Sequence, residues 1–138
     1  MENTITCLLV DDDIDDQEIF YMALADTALP VNYFAVRDYY EAIAMLNDSR
    51  MGIPDFVFID WNLSNMCGKD CLVLFQQIPK MKDCQYIIQS GVLPMDWENI
   101  AQNLSCRFIQ KSGSIAQFSN QVKSILESSP ERLKFASH

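Results

Sequence analysis

Five short apolar runs punctuate the chain: Ile5 to Val10, Val31 to Val36, Phe56 to Ile59, Tyr86 to Gln89, and Arg107 to Gln110. Three of them, Cys7-Leu8-Leu9-Val10, Phe56-Val57-Phe58-Ile59 and Tyr86-Ile87-Ile88, are almost unbroken hydrophobe. Strands covered on both faces, as in a parallel sheet, have this pattern, whereas a half-solvated strand alternates.

The stretches between the runs have helical spacing. Ile19, Phe20, Ala23 and Leu24 form one apolar stripe behind an acidic first turn of Asp15, Asp16 and Glu18, which complements a helix N-terminus. Asp38 followed by Glu41 has the form of a capping box ahead of Ala42, Met45 and Leu46. Leu72, Phe75 and Ile78 make a third stripe, ended near Pro79. Pro94 suits an early helical position before Trp97, Ile100, Ala101 and Leu104. Ile115, Phe118, Val122, Ile125 and Leu126 make the fifth, closing near Ser129-Pro130. Five strands alternating with five helices predict an α/β, doubly wound five-stranded parallel sheet with right-handed crossovers. Of the open orders available, the flavodoxin-like 2-1-3-4-5 is expected.

Composition narrows the function classes. The formal net charge is −9, with 19 Asp plus Glu against 10 Lys plus Arg. Such a field repels nucleic-acid phosphates, so no direct DNA or RNA partner is expected. No apolar run approaches the roughly 20 residues of a membrane span, and Met1-Glu2-Asn3-Thr4 lacks the basic start of a secretory signal. Cys7 and Cys106 lie in apolar runs, where a thiol acts as a small hydrophobe. Cys67 and Cys71 are a CxxxC pair with no second pair, and the single histidine is His138 at the last position, so no zinc site is completed. Free thiols in a reducing cytoplasm are expected.

Ligands of open parallel sheets gather at the carboxyl ends of the strands. Those ends carry Asp11-Asp12-Asp13 after the first run, Asp60-Trp61-Asn62 after the third, Ser90-Gly91 after the fourth and Lys111-Ser112 after the fifth. Each has a plain alternative. Asp11 to Asp13 would serve to cap the next helix, Ser90 is a common strand-end residue, and a lone Lys111 is usually solvated. Asp60 directly follows four apolar residues, and an unpartnered carboxylate buried there would cost several kcal/mol. Convergence of all four on one rim outweighs the separate explanations. Clustered carboxylates require a cation, and Mg2+ suits oxygen ligands at roughly 2.0–2.1 Å and phosphoryl chemistry. In this reading Asp12, Asp60 and the Asn62 carbonyl hold the ion, Asp60 is the nucleophile, and Lys111 and Ser90 meet phosphoryl oxygens.

From about Thr4 to Leu126 the chain resembles the response-regulator receiver domain of two-component signalling. The carriers are Leu8-Leu9-Val10-Asp11-Asp12-Asp13, then Phe58-Ile59-Asp60-Trp61-Asn62 with Gly68, then Ser90-Gly91 and Phe108-Ile109-Gln110-Lys111. The resemblance implies phosphotransfer to Asp60 from a phosphohistidine of a sensor histidine kinase or His-phosphotransfer protein. It also implies Mg2+ ligation by Asp12, Asp60 and the Asn62 carbonyl, with Asp11 supporting through water. Ser90 and Phe108 would form a coupled switch, Ser90 moving toward the phosphoryl group and the Phe108 ring turning inward. The face of the fourth helix, fifth strand and fifth helix would then change its preference for a downstream protein target. Trp97 is either on that face or a core residue of the fourth helix. The receiver domain is expected over residues 1–128, with 129–138 a C-terminal tail. Nothing remains for an output domain, so a stand-alone, chemotaxis-type regulator in the cytoplasm is expected, acting on no substrate beyond its own phosphorylation and dephosphorylation.

Two positions depart from the family. Ser64 and Ser112 stand where receivers usually have Pro, the second often after a cis bond. A cis bond before a non-proline costs about 2.5–4 kcal/mol, so a trans Lys111–Ser112 bond and a rearranged following loop are expected. Three other readings compete. A haloacid dehalogenase-type phosphatase would use Asp11 and Asp13 as its Asp-x-Asp, but no acidic residue lies between Lys111 and Glu127 to hold its metal, and Asp60 would lack a role. A nucleotide- or flavin-binding module would need a glycine-rich phosphate loop after the first strand. A phosphorylation-independent, receiver-like adaptor is kept open by the two missing prolines.

Overall fold

In a computed structural model that describes residues 4–48, 50–111 and 113–128, the five runs form strands β1 (Ile5–Val10), β2 (Val31–Val36), β3 (Phe56–Asp60), β4 (Gln85–Ser90) and β5 (Arg107–Gln110). Between and after them lie α1 (Ile14–Asp26), α2 (Tyr39–Asp48), α3 (Gly68–Gln76), α4 (Trp97–Leu104) and α5 (Ile115–Glu127), with a 3-10 turn over Pro79–Met81. All pairings are parallel, in the order β2-β1-β3-β4-β5. The expected flavodoxin-like topology is the observed one. No helix among the described residues is long and apolar enough to cross a membrane.

The unbroken hydrophobicity of the central strands follows from two dry faces. Cys7, Leu9, Phe56, Phe58 and Ile87 enter one core with residues of α1 and α5. Leu8, Val10, Val57, Ile59 and Ile88 enter the other with residues of α2 and α3. Phe20 anchors the first core, its ring meeting Phe58 at 4.8 Å, Tyr33 at 5.7 Å and Phe118 at 5.8 Å between centroids. It thereby links α1 to two strands and α5. The Ser119 hydroxyl also donates to the Ala23 carbonyl at 3.0 Å, fastening α5 to α1.

The helix starts follow their caps. The Asp13 carboxylate accepts from the N–H groups of Asp15 (2.8 Å) and Asp16 (3.2 Å) and opens α1. Asp38 accepts from Glu41 N–H at 2.8 Å, and Glu41 reaches back to Arg37 N–H at 2.7 Å, one residue beyond the usual capping-box target. Three helical expectations need correction. Ile19 and Ile115 are about two-fifths exposed and do not join the buried stripes. α3 stops at Gln76, because Ile78 precedes Pro79 and adopts an extended conformation (φ −82°, ψ 118°) that the proline ring favours. Pro94 precedes α4, its carbonyl accepting from Trp97 N–H in a turn, and no α4 residue is fully buried. Ser112 and the tail after Ser128 lie outside the described residues, and with them the expected trans bond at Lys111–Ser112.

Gly68 controls the approach of α3 to the sheet rim. A Cβ at this position would lie 2.5 Å from the Asp60 carbonyl oxygen and 2.8 Å from Trp61 Cα, both backbone atoms. Neither can rotate away, so α3 or the end of β3 must shift. We expect Gly68→Ala to cost roughly 1–3 kcal/mol, as overpacking does, read as a lower midpoint in urea denaturation.

Candidate functional site

Strand register assembles the rim. Val10 pairs with Ile59, so Asp11 and Asp60 leave neighbouring strand ends side by side. Asp60 pairs with Gln89, and Ser90 with Gln110, which brings Ser90 and Lys111 to the same edge. The Lys111 N–H donates to the Ser90 carbonyl at 2.8 Å, extending the ladder one residue past β5.

Asp11 is completely buried and Asp60 nearly so. Asp11 Oδ1 accepts from Asp13 N–H at 3.0 Å, and its own carbonyl accepts from Gln17 Nε2 at 2.7 Å. Asp60 Oδ1 accepts from Asn62 N–H at 3.3 Å. The Lys111 ammonium lies 2.8 Å from Asp16 Oδ2, 3.3 Å from Asp11 Oδ2 and 3.5 Å from Asp60 Oδ1. One cation therefore faces three carboxylates, and Asp12 adds a fourth nearby. Burial pushes the Asp11 carboxyl up to about 6, against the pull of the Asp13 N–H and the Lys111 charge. Desolvation draws the Lys111 pKa down, but the Asp16 hydrogen bond and the Asp11 and Asp60 charges overcome it, and the net shift is upward.

Carboxylate oxygens of Asp11, Asp12 and Asp60 lie within 4.8 Å of one another. An all-oxygen, excess-negative donor set fits a hard divalent cation, and a single lysine leaves the cluster under-neutralised. Asp13 is not part of it, because its carboxylate is spent capping α1. That removes the Asp-x-Asp pair on which a dehalogenase-type phosphatase would depend. Asp12, by contrast, is held from outside the cluster. Its Oδ2 accepts from Ser64 N–H at 2.8 Å and from the Ser64 hydroxyl, and these bonds, the hydroxyl first, hold its carboxyl below the ordinary range.

The remaining sites flank this group. The Ser90 hydroxyl donates to the Val92 carbonyl at 2.6 Å. The half-buried Phe108 ring sits between two tryptophans, 5.6 Å from Trp61 and 6.0 Å from Trp97 by centroid. Trp97 is thus half-buried against β5 and outside the central core. Cys71 is buried, its thiol pushed up to about 12 by desolvation, while Cys67 is exposed at the start of α3. All five thiols are free.

Two participants escaped the sequence reading. Asp16, which in sequence only complements the helix dipole, is the nearest partner of Lys111; its place in the first turn of α1, beside the strand ends, is the signal that points to it. Ser64 stood out only as a missing proline, although it carries two donors beside a candidate ion site.

No family model matches the chain, and no curated protein sequence matches it either. Solved structures do. The phosphorylated cyanobacterial phytochrome response regulator RcpA is 27% identical with a TM-score of 0.76, over 90% of this chain and 92% of that one. The Mn2+-bound response regulator Rcp1 is 20% identical with a TM-score of 0.74, over 90% and 93%. A response regulator in red-light signalling of R. palustris is 17% identical with a TM-score of 0.77, over 93% and 95%. The two lower identities speak for the fold alone. Over nine-tenths of its length the chain thus has the fold of response-regulator receiver domains, with the motif residues gathered on one rim.

Proposed function

We propose that the domain accepts a phosphoryl group on Asp60 from a phosphohistidine of a sensor histidine kinase or His-phosphotransfer protein. The observation that carries this reading is the Asp60 carboxylate at the rim, next to Lys111 and grouped with Asp11 and Asp12. A carboxylate oxygen of Asp60 attacks phosphorus, and the bond to the donor imidazole breaks as the acyl phosphate forms. Lys111 faces the incoming charge with an ammonium that stays protonated throughout. Asp12, Asp60 and the Asn62 carbonyl would hold Mg2+, with Asp11 supporting through water. Such an ion, when bound, neutralises charge on the phosphoryl oxygens. The similar RcpA is described as phosphorylated, which favours phosphoryl chemistry at this site.

The switch follows from what must be broken. Ser90 bonds a phosphoryl oxygen only after its hydroxyl leaves the Val92 carbonyl. That movement frees space for the Phe108 ring to leave the two tryptophans and turn inward. The face of α4, β5 and α5 then presents a different surface to a downstream protein. Contacts made only in the phosphorylated state bias this equilibrium. The role is that of a signalling switch, with no turnover of an external substrate.

Incubation with acetyl phosphate is expected to add the mass of one phosphoryl group in the presence of Mg2+. No gain is expected in EDTA or in Asp60→Asn, and a gain in either condition would remove Asp60 or the ion from the mechanism. Phosphorylation should also change tryptophan emission, because both tryptophans of the chain border Phe108. Phe108→Leu is expected to abolish most of that change.

Acidity acts on the same site through Asp11. Its carboxyl takes up a proton as pH falls through about 6 in the folded chain, but only near its ordinary 3.8 when unfolded. The folded state is therefore the better proton acceptor in this window, so the Asp11 contribution to ion-free stability rises as pH falls from about 7 to about 5. Mg2+ affinity should fall over the same range, because proton and cation compete for the cluster. Thermal melting in EDTA and in excess Mg2+, beside Asp11→Asn, separates the two effects; a Mg2+ stabilisation that persists undiminished at the lower pH would contradict this assignment.

A further inference from the structure

We propose that Ser64 is a positioning residue for the divalent ion, pinning one oxygen of Asp12 so that the other is presented to the cluster. The proposal rests on the ion-binding reading above and concerns a residue that reading leaves without a part.

The geometry is specific. Ser64 sits on the exposed loop between β3 and α3, and Asp12 on the loop between β1 and α1, 52 positions away in sequence. Both donors of Ser64, its N–H at 2.8 Å and its hydroxyl, converge on the same atom, Asp12 Oδ2. Two donors occupy the two lone-pair directions of that oxygen, which leaves Oδ1 as the Asp12 atom available for coordination. A half-exposed aspartate otherwise samples several rotamers, and an ion must select one of them at an entropic cost. Hydrogen bonds to the non-coordinating side of a ligand remove that cost, and their loss commonly weakens metal binding by 10–100-fold.

The loop that carries Ser64 is itself held. Gly68 N–H donates to the Trp61 carbonyl at 2.9 Å, and Asn65 Nδ2 lies 3.5 Å from Asp38 Oδ2. Ser64 thus transmits a fixed loop position to Asp12. Proline at this position, usual in the resembled family, has neither an N–H nor a hydroxyl, so it could make neither bond. Ser64 thus supplies two donors beside the cluster, whereas the alternative is that it merely fastens one loop to another. A loop fastener changes stability without changing ion affinity.

Calorimetric titration of the full chain with MgCl2 and separately with MnCl2 tests this, with melting in EDTA alongside. Ser64→Ala removes the hydroxyl and is expected to weaken binding about 10-fold. Ser64→Pro, which removes both donors, should weaken it further, and Ser64→Thr, which keeps both, should restore it. Unchanged affinity in Ser64→Ala and Ser64→Pro overturns the proposal and leaves Ser64 a loop contact. Tighter binding in Ser64→Ala overturns it as well, since the serine would then compete with the ion. Absence of binding in the unsubstituted chain instead defeats the ion assignment, and the proposal with it.

Discussion

A single ammonium among carboxylates is the constraint around which this domain is built. Lys111 stands within 3.5 Å of oxygens from Asp11, Asp16 and Asp60, and Asp12 lies beside them. Buried like charges repel strongly in a medium that screens less than water. Among the described residues Lys111 is the one cation at the group and cannot neutralise it, so the rim holds a deficit of positive charge. The excess of oxygen donors expresses that deficit, while the upward shift of Asp11 comes first from its burial. A site in this condition favours a divalent cation.

Such a cluster survives only on a scaffold stable enough to hold it. The two apolar cores supply that scaffold by drying both faces of the central strands, and Phe20 ties four elements together in one of them. Parallel register then places the polar ends of β1, β3, β4 and β5 along one edge. Gly68 permits α3 to approach that edge at backbone distance. Fold stability and site geometry are therefore linked through the strand ends.

Around this rigid centre the contacts are weaker and fewer. α4 buries no residue completely, Phe108 is only half-buried between Trp61 and Trp97, and Ser90 is committed to a loop carbonyl by one hydrogen bond. Elements with little buried area change arrangement at low cost. The domain thus divides into a fixed charge cluster and a more loosely packed flank.

Much of this was legible in the sequence, for physical reasons that vary by residue. The five strands could be read because burial on both faces demands unbroken hydrophobe, and Asp11, Asp60, Ser90 and Lys111 could be read because each interrupts or follows such a run. Helix limits were less legible. Ile78 and Pro94 have the right residue types for a helix, but the conformational demand of Pro79 and the turn before Trp97 decide where α3 and α4 begin and end. As a site participant Asp16 was marked only by its place in the first turn of α1, and Ser64 not at all. An acidic residue in a first helical turn and a serine in a loop are ordinary, and only folding sets Asp16 against Lys111 and both Ser64 donors against Asp12. The sequence determined the strands, the rim and the acceptor candidate, since these depend on local hydrophobicity and its breaks. Tertiary structure decided which carboxylates share the lysine, which one caps a helix and which is held from across the site, because those are contacts between distant segments.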